Sequence, residues 1–241
     1  MRRVRLAIGF ILFGASAMPA QMWRLAAPTL LDTTGLFRER FARVGDDVFI
    51  AGQPTEKGLR TVHDQGVTIV VNLRSPEEMM RIPFDEAKVV ASLGMKYVYI
   101  PMRGTAEFPY SPAALDTFAK VMKSANGKVL LHCTIAWRAS HLWAAYLIRE
   151  RGVQVKDALD NARAINLMDD MRMDGDRQPL EEFLGHPVPG LRHPLAVNNN
   201  IHGSSGARGI QSFDIHQIPQ RPAIPRFPVV PRTVWTATLG C

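Results

Sequence analysis

A chain of 241 residues with 46% hydrophobic content holds enough apolar material for a buried core, which excludes a wholly disordered protein. Its formal net charge of +7 lies at the ends: Arg2, Arg3 and Arg5 lead the chain, five arginines from Arg192 to Arg232 face only Asp214, and residues 18–185 balance to zero. A neutral body without a basic stripe excludes a nucleic-acid surface.

The N-terminus reads as a secretory signal over residues 1–17. The basic start Met1-Arg2-Arg3-Val4-Arg5 precedes an apolar run from Leu6 to Phe13, and Ala15-Ser16-Ala17 forms an Ala-x-Ala cleavage site. The run is shorter than the roughly 20 residues a membrane span needs. The expectation is export to the periplasm or the medium, with no stable span once the signal is removed. Residues 18–43 form a lead-in segment, with a helix expected around Thr34–Phe41.

From residue 44 to 185 the pattern alternates. Val48–Ala51 reads as a strand. Thr55 caps a helix that Gly66 ends. Val67–Leu73 is a continuous apolar run, as in a strand covered on both faces. Asp85–Leu93 has helical spacing, and Tyr97–Pro101 is a strand. A helix runs from Ser111-Pro112 to Ser124, Val129–His132 is a strand, and Trp137–Arg151 is a helix closed by Gly152. A last helix spans Lys156–Leu167. Strands alternating with helices predict an α/β fold, a mostly parallel central sheet flanked by helices. Residues 186–241 contain eight of the 17 prolines and read as a disordered tail.

The two cysteines are Cys133 and the terminal Cys241, so no disulfide framework is expected. Cys133 ends a predicted strand, four residues follow, and Arg138 enters a helix. Backbone N–H groups of a loop entering a helix converge on an anion, and the helix dipole adds positive potential. The same field favours thiolate over thiol. Arg138 can grip a phosphate or sulfate with two parallel N–H bonds, and thiolate attack then forms a covalent thiophosphate.

This stretch, His132-Cys133-Thr134-Ile135-Ala136-Trp137-Arg138, resembles the active-site loop of the cysteine-dependent phosphatase and rhodanese superfamilies. With Val48–Thr55, which contains Gly52-Gln53-Pro54, and with Asn72-Leu73-Arg74 and Pro101, it is similar to the bacterial beta-lactamase-hydrolase-like family, relatives of dual-specificity phosphatases. The resemblance covers Phe41 to Leu167. It implies a protein-tyrosine-phosphatase-like fold, Cys133 as nucleophile and Arg138 as phosphate ligand. The backbone of Thr134, Ile135, Ala136 and Trp137 would cradle the phosphoryl group, and His132 would orient the loop. Substrates would be phosphorylated proteins or small phosphate esters, with no cofactor and no metal.

The chain departs from the family in four places. Cys133 and Arg138 are separated by four residues rather than five, a spacing that rhodaneses share. Ala136 stands where relatives place glycine, which would allow a positive φ. Ala139 replaces the Ser or Thr that usually follows the arginine, and Ser140 comes one residue late. The loop Met102–Phe108 has no aspartate, so Glu107 is the candidate general acid. These departures leave two alternatives open: a rhodanese-like sulfurtransferase, and a phospho-binding module without turnover. Elsewhere, Asp169, Asp170, Asp174 and Asp176 read as a solvated loop, and His141 as a packed helix residue. Trp137, Trp143 and Tyr146 read as helix packing, with Trp137 also a candidate pocket wall. Arg74 and Arg103 are candidate sources of positive charge beside the site.

Overall fold

The computed structural model describes residues 25–169, 171 and 177–192. The signal-like residues 1–17, Asp170, Asp174, Asp176, Cys241 and the tail beyond residue 192 lie outside the described residues. Among the described residues no helix is long and apolar enough to cross a membrane.

The strands are β1 (Thr29–Leu30), β2 (Phe41–Val44), β3 (Val48–Ala51), β4 (Val67–Asn72), β5 (Lys96–Tyr99) and β6 (Lys128–His132). They form one sheet in the order β1-β2-β3-β6-β4-β5. The pairs β3–β6, β6–β4 and β4–β5 are parallel, while β1–β2 and β2–β3 are antiparallel. The sheet is therefore mixed and mostly parallel. The helices are α1 (Glu56–Asp64), α2 (Pro76–Met79), α3 (Glu86–Ser92), α4 (Pro112–Ser124), α5 (Trp137–Arg151), α6 (Val155–Ile165) and α7 (Pro179–Leu184).

Successive strand residues point to opposite faces, so the central strands need apolar residues at every position. Ile50, Val71, Val129 and Leu131 pack with α4, α5, α6 and α7. Phe49, Val70 and Leu130 pack on the other face with Leu59 and Val62 of α1 and Val90 of α3. α1, α3 and α4 begin at side-chain caps, Thr55 on Gly58, Asp85 on Lys88 and Ser111 on Ala114.

Four expectations at the edges are corrected. Residues 34–41 do not form a helix: Gly35 and Glu39 have φ of 68° and 61°, which breaks helical winding, and Phe37 bridges to Pro54. The lead-in segment also supplies β1 and β2, so the sheet starts well before residue 44. At the other end, Val188 and Leu191 are buried in the main core, so residues 186–192 pack with the body rather than with a tail. Strand β5 ends at Tyr99 rather than Pro101.

Candidate active site

Cys133 follows β6 at the C-terminal edge of the parallel strands, where open α/β sheets place their ligands. Between it and α5 the chain reverses within three residues. Ala136 makes this possible as the N-cap of α5, in the left-handed region at φ 68° and ψ −5°. The loop's carbonyls face outward, and each is taken up. Thr134 O accepts from the Gln53 amide at 3.0 Å, Ile135 O accepts from Asn166 Nδ2, and Ala136 O accepts from Ser140 N at 2.8 Å and Ser140 Oγ at 2.9 Å. With the carbonyls committed outward, the N–H groups turn to the other side. Among the described residues those of Thr134, Trp137 and Arg138 have no backbone acceptor, the last two as first amides of a helix. Such an arrangement can cradle an anion, with the Cys133 thiol at its base.

Arg138 is 7% exposed and held from several directions. Nη1 donates to Met102 O at 2.6 Å and to Glu78 Oε2 at 2.8 Å, and Nη2 donates to Glu78 Oε1 at 2.6 Å and to Thr134 Oγ1 at 3.0 Å. Thr134 Oγ1 in turn donates to Glu78 Oε1 at 2.6 Å. Burial alone would lower the guanidinium pKa. The Cys133 sulfur and the Glu78 carboxylate more than reverse this and hold it above its ordinary value. The sulfur and the guanidinium are thus close enough to act on each other. Glu78 is half-buried, and burial alone would raise its pKa; Arg138, Thr134 and the Ser75 amide outweigh this and bring it down to about 2. It sits in the capping box of α2, whose N-cap is Ser75.

Behind the loop lies a second, fully buried hub. Glu86, 1% exposed, accepts from His132 Nε2 at 2.9 Å, Gln53 Nε2 at 2.6 Å and Asn72 Nδ2 at 3.1 Å. Burial raises its pKa, but the His132 ring and the donors bring it below its ordinary value. His132 is 0% exposed and immediately precedes Cys133. Gly52-Gln53-Pro54 and Asn72-Leu73-Arg74 therefore meet behind Cys133. Gly52 has no room for a side chain, since a Cβ there would lie 1.8 Å from Arg38 O.

The other candidates fall as follows. Glu107 is exposed and makes no hydrogen bond or ion pair among the described residues. Its loop nevertheless reaches the site through the Met102 carbonyl on Arg138. That loop closes at buried Tyr110, whose phenol burial pushes well up, with Arg138 and Cys133 both near enough to act on it. Trp137 donates its indole N–H to Met168 O at 3.1 Å, which turns it towards the α6 side. Ser140 is spent on Ala136 O, so its hydroxyl supports the loop. His141 is fully buried with neither ring nitrogen bonded, its ring edge on Trp137, and burial brings its pKa down to about 3. Arg74 is buried beside the site, Arg103 is exposed, and Asp169 pairs with Arg163 at 2.7 Å. Glu78 and Glu86 escaped the sequence reading; their one sequence signal is acidic residues in the segment after Asn72-Leu73-Arg74.

Residues 42–178 match the family described as DSP-PTPase phosphatase fused to NAD+ kinase. The beta-lactamase hydrolase-like protein of Xylella fastidiosa is 27% identical over 107 residues, 44% of this chain and 24% of that relative. The match thus spans about a quarter of that curated relative's length. Among solved structures, P. aeruginosa TpbA matches with a TM-score of 0.51 at 19% identity, over 69% of this chain and 94% of that one. A Cys-to-Ser form of TpbA in complex with phosphotyrosine matches with a TM-score of 0.50 at 17% identity, over 73% and 96%. At these identities the two structures establish the shared fold.

Proposed function

The chain belongs to this DSP-PTPase phosphatase family, and on that premise we propose that it hydrolyses phosphate monoesters through a phosphocysteine on Cys133. The observation that carries the residue assignment is the loop in which the carbonyls of Thr134, Ile135 and Ala136 are all bonded, while the amides of Thr134, Trp137 and Arg138 beside Cys133 have no backbone acceptor among the described residues. The Cys133 thiolate attacks phosphorus, the ester P–O bond breaks, and the leaving oxygen takes a proton from Glu107. Water, deprotonated by the same carboxylate, then attacks the phosphocysteine. The P–S bond breaks, and thiolate and inorganic phosphate are released. Arg138 and the amides of Thr134, Ile135, Ala136 and Trp137 hold the equatorial oxygens throughout. His132 orients the loop through Glu86.

The substrate is a phosphorylated protein or a small phosphate ester, and the phosphotyrosine held by the TpbA variant supports aryl phosphates as the first to try. The signal-like N-terminus supports action in the periplasm or outside the cell. The test is turnover of p-nitrophenyl phosphate by the purified protein, with vanadate as inhibitor and acid-quench trapping of phosphocysteine. Cys133→Ser is expected to abolish turnover, and unchanged activity in that variant overturns the mechanism. A second reading, a phospho-binding module, is favoured by the exposure of Glu107 and by the use of Ser140 within the loop. It predicts phosphate affinity that depends on Arg138, without turnover.

A further inference from the structure

Beside the cradle lies a cavity of about 720 Å³ that shares Thr134, Arg74 and Glu78 with it. Its outer wall is built by residues 35–38, by the start of α1, and by residues 81–84. Leu36, Pro54, Ile82 and Phe84 make much of that wall apolar. Four cations line it: Arg38, Lys57, Arg74 and Arg81. The side chains of Lys57 and Arg81 are exposed and have no ion-pair or hydrogen-bond partner among the described residues. Arg74 is 5% exposed, and its Nε has no hydrogen-bond partner. Arg38 pairs with Glu39 at 3.7 Å, and Glu78 is shared between Arg138 and Arg74, whose Nε lies 4.0 Å from it, which leaves Glu56 lining the cavity against Lys57 and Arg81. In a body whose charges otherwise balance, two unpaired cations, Lys57 and Arg81, beside an apolar cavity next to Cys133 are a recognition feature rather than a solvated face.

We propose that this cavity is a leaving-group subsite for a small phosphomonoester that has an apolar body and a second anionic group. The inference rests on the phosphatase reading above and names the substrate class of that site. The scissile phosphate sits over Cys133, the apolar body lies along Pro54 and Phe84, and the second anion meets Lys57 and Arg81. The volume suits one small ligand, within the roughly 300–1,000 Å³ of sites that take such molecules.

The test compares phenyl phosphate with resorcinol bisphosphate, which keeps the ring and adds one phosphate. The expected result is a kcat/KM about ten-fold higher for the bisphosphate, against the two-fold advantage that two equivalent phosphates give statistically. In Lys57→Glu/Arg81→Glu that ratio is expected to fall to about two, with the phenyl phosphate rate as the control for folding. A ratio of about two in the unaltered protein, or an unchanged ratio in the double variant, overturns the proposal. An acidic phosphotyrosine peptide preferred over its uncharged counterpart, with no gain for the bisphosphate, assigns the cavity to peptides and also overturns it. If neither ester turns over, the hydrolase reading fails by itself. Calorimetric titration of both esters into Cys133→Ser then decides the subsite: tighter bisphosphate binding lost on changing Lys57 and Arg81 upholds it, and equal affinity rejects it.

Discussion

The cradle and the loop of residues 102–110 face the same reacting centre but are built in opposite ways. In the cradle, Cys133 is 1% exposed, Arg138 is 7% exposed, and the outward carbonyls are bound by partners from other parts of the chain. In the loop, Met102 is tied to Leu73 O and Arg138, but residues 103–107 are all exposed and their bonds are internal, Arg103 N and Gly104 N to Phe108 O and Phe108 N to Thr105 Oγ1. On the proposed mechanism, the groups for anion capture and attack by Cys133 are preorganised, which is where the largest electrostatic gain in acyl and phosphoryl transfer lies. Proton delivery to the leaving group depends on a segment the fold leaves in solvent. The chemistry should therefore be robust on the cradle side and selective for leaving group on the loop side.

Removing the cradle's cation breaks this comparison most severely. Arg138→Ala is expected to lower kcat/KM by about a thousand-fold or more, since the positive charge proposed to stabilise the transferring phosphoryl group goes with it. It also strands Glu78 without its partner, which should cost about 3 kcal/mol of stability. Steady-state kinetics and urea unfolding check the two effects separately. A variant that keeps wild-type kcat/KM would remove Arg138 from the site.

The Glu86 hub tests whether the cradle's rigidity comes from behind. Glu86→Ala leaves His132, Gln53 and Asn72 without their common acceptor in a buried space, for an expected loss of about 3 kcal/mol. Glu86→Gln retains an acceptor oxygen and should lose about half as much. Denaturant midpoints rank the two, and equal losses would show that hydrogen bonding at the hub is immaterial. On the loop side, Glu107→Gln is expected to lower kcat/KM, which reports the steps up to the phosphocysteine, about a hundred-fold for alkyl phosphates and hardly at all for p-nitrophenyl phosphate, because p-nitrophenolate departs without a proton. Equal effects on both substrates would exclude Glu107 as the acid.

Acid sharpens the same contrast more gently. Glu78 has a folded pKa brought down to about 2, below its unfolded value, so its stabilisation is complete above the ordinary carboxylate range. That stabilisation is lost as pH falls towards 2. Wild type should exceed Glu78→Gln by about 1–2 kcal/mol at pH 7, and the gap should close between pH about 4.5 and 2. Thermal unfolding over that range measures it, and a gap that stays constant removes the carboxylate's charge as its cause.

What could be read along the chain was local. The strand, Cys133, the short loop and the helix follow one another within a few residues, so hydrophobic runs and a helix start marked them. Ala136, marked as standing where relatives place glycine, was equally local, and it takes the left-handed conformation at φ 68° that glycine would allow. Glu78 and Glu86 were not legible because their partners are 60 and 46 residues away in sequence. Nothing in a short acidic segment tells a buried carboxylate from a solvated one. Gln53 and Asn72 stood out within their motifs, but only the fold shows that both bind Glu86. Strand β2 was missed for a related reason: four residues at the end of a turn-rich stretch acquire strand character by pairing with β3.

The smallest effect concerns the cradle's own backbone. A left-handed alanine costs about 1–2 kcal/mol relative to the right-handed region, and glycine has no such penalty. Glycine also gives the unfolded chain more freedom, which returns about 0.5–1 kcal/mol. Ala136→Gly should therefore stabilise the protein by no more than about 1 kcal/mol, although glycine alone normally weakens a fold. The sign is informative. If the protein keeps Ala136 strained, relieving it raises the unfolding midpoint while the loop retains its anion, so phosphate affinity in Cys133→Ser stays the same. If instead the methyl group holds the loop in its turned conformation, Ala136→Gly lowers both stability and phosphate affinity. The cradle's rigidity would then depend on that side chain as well as on the donors that bind its carbonyls.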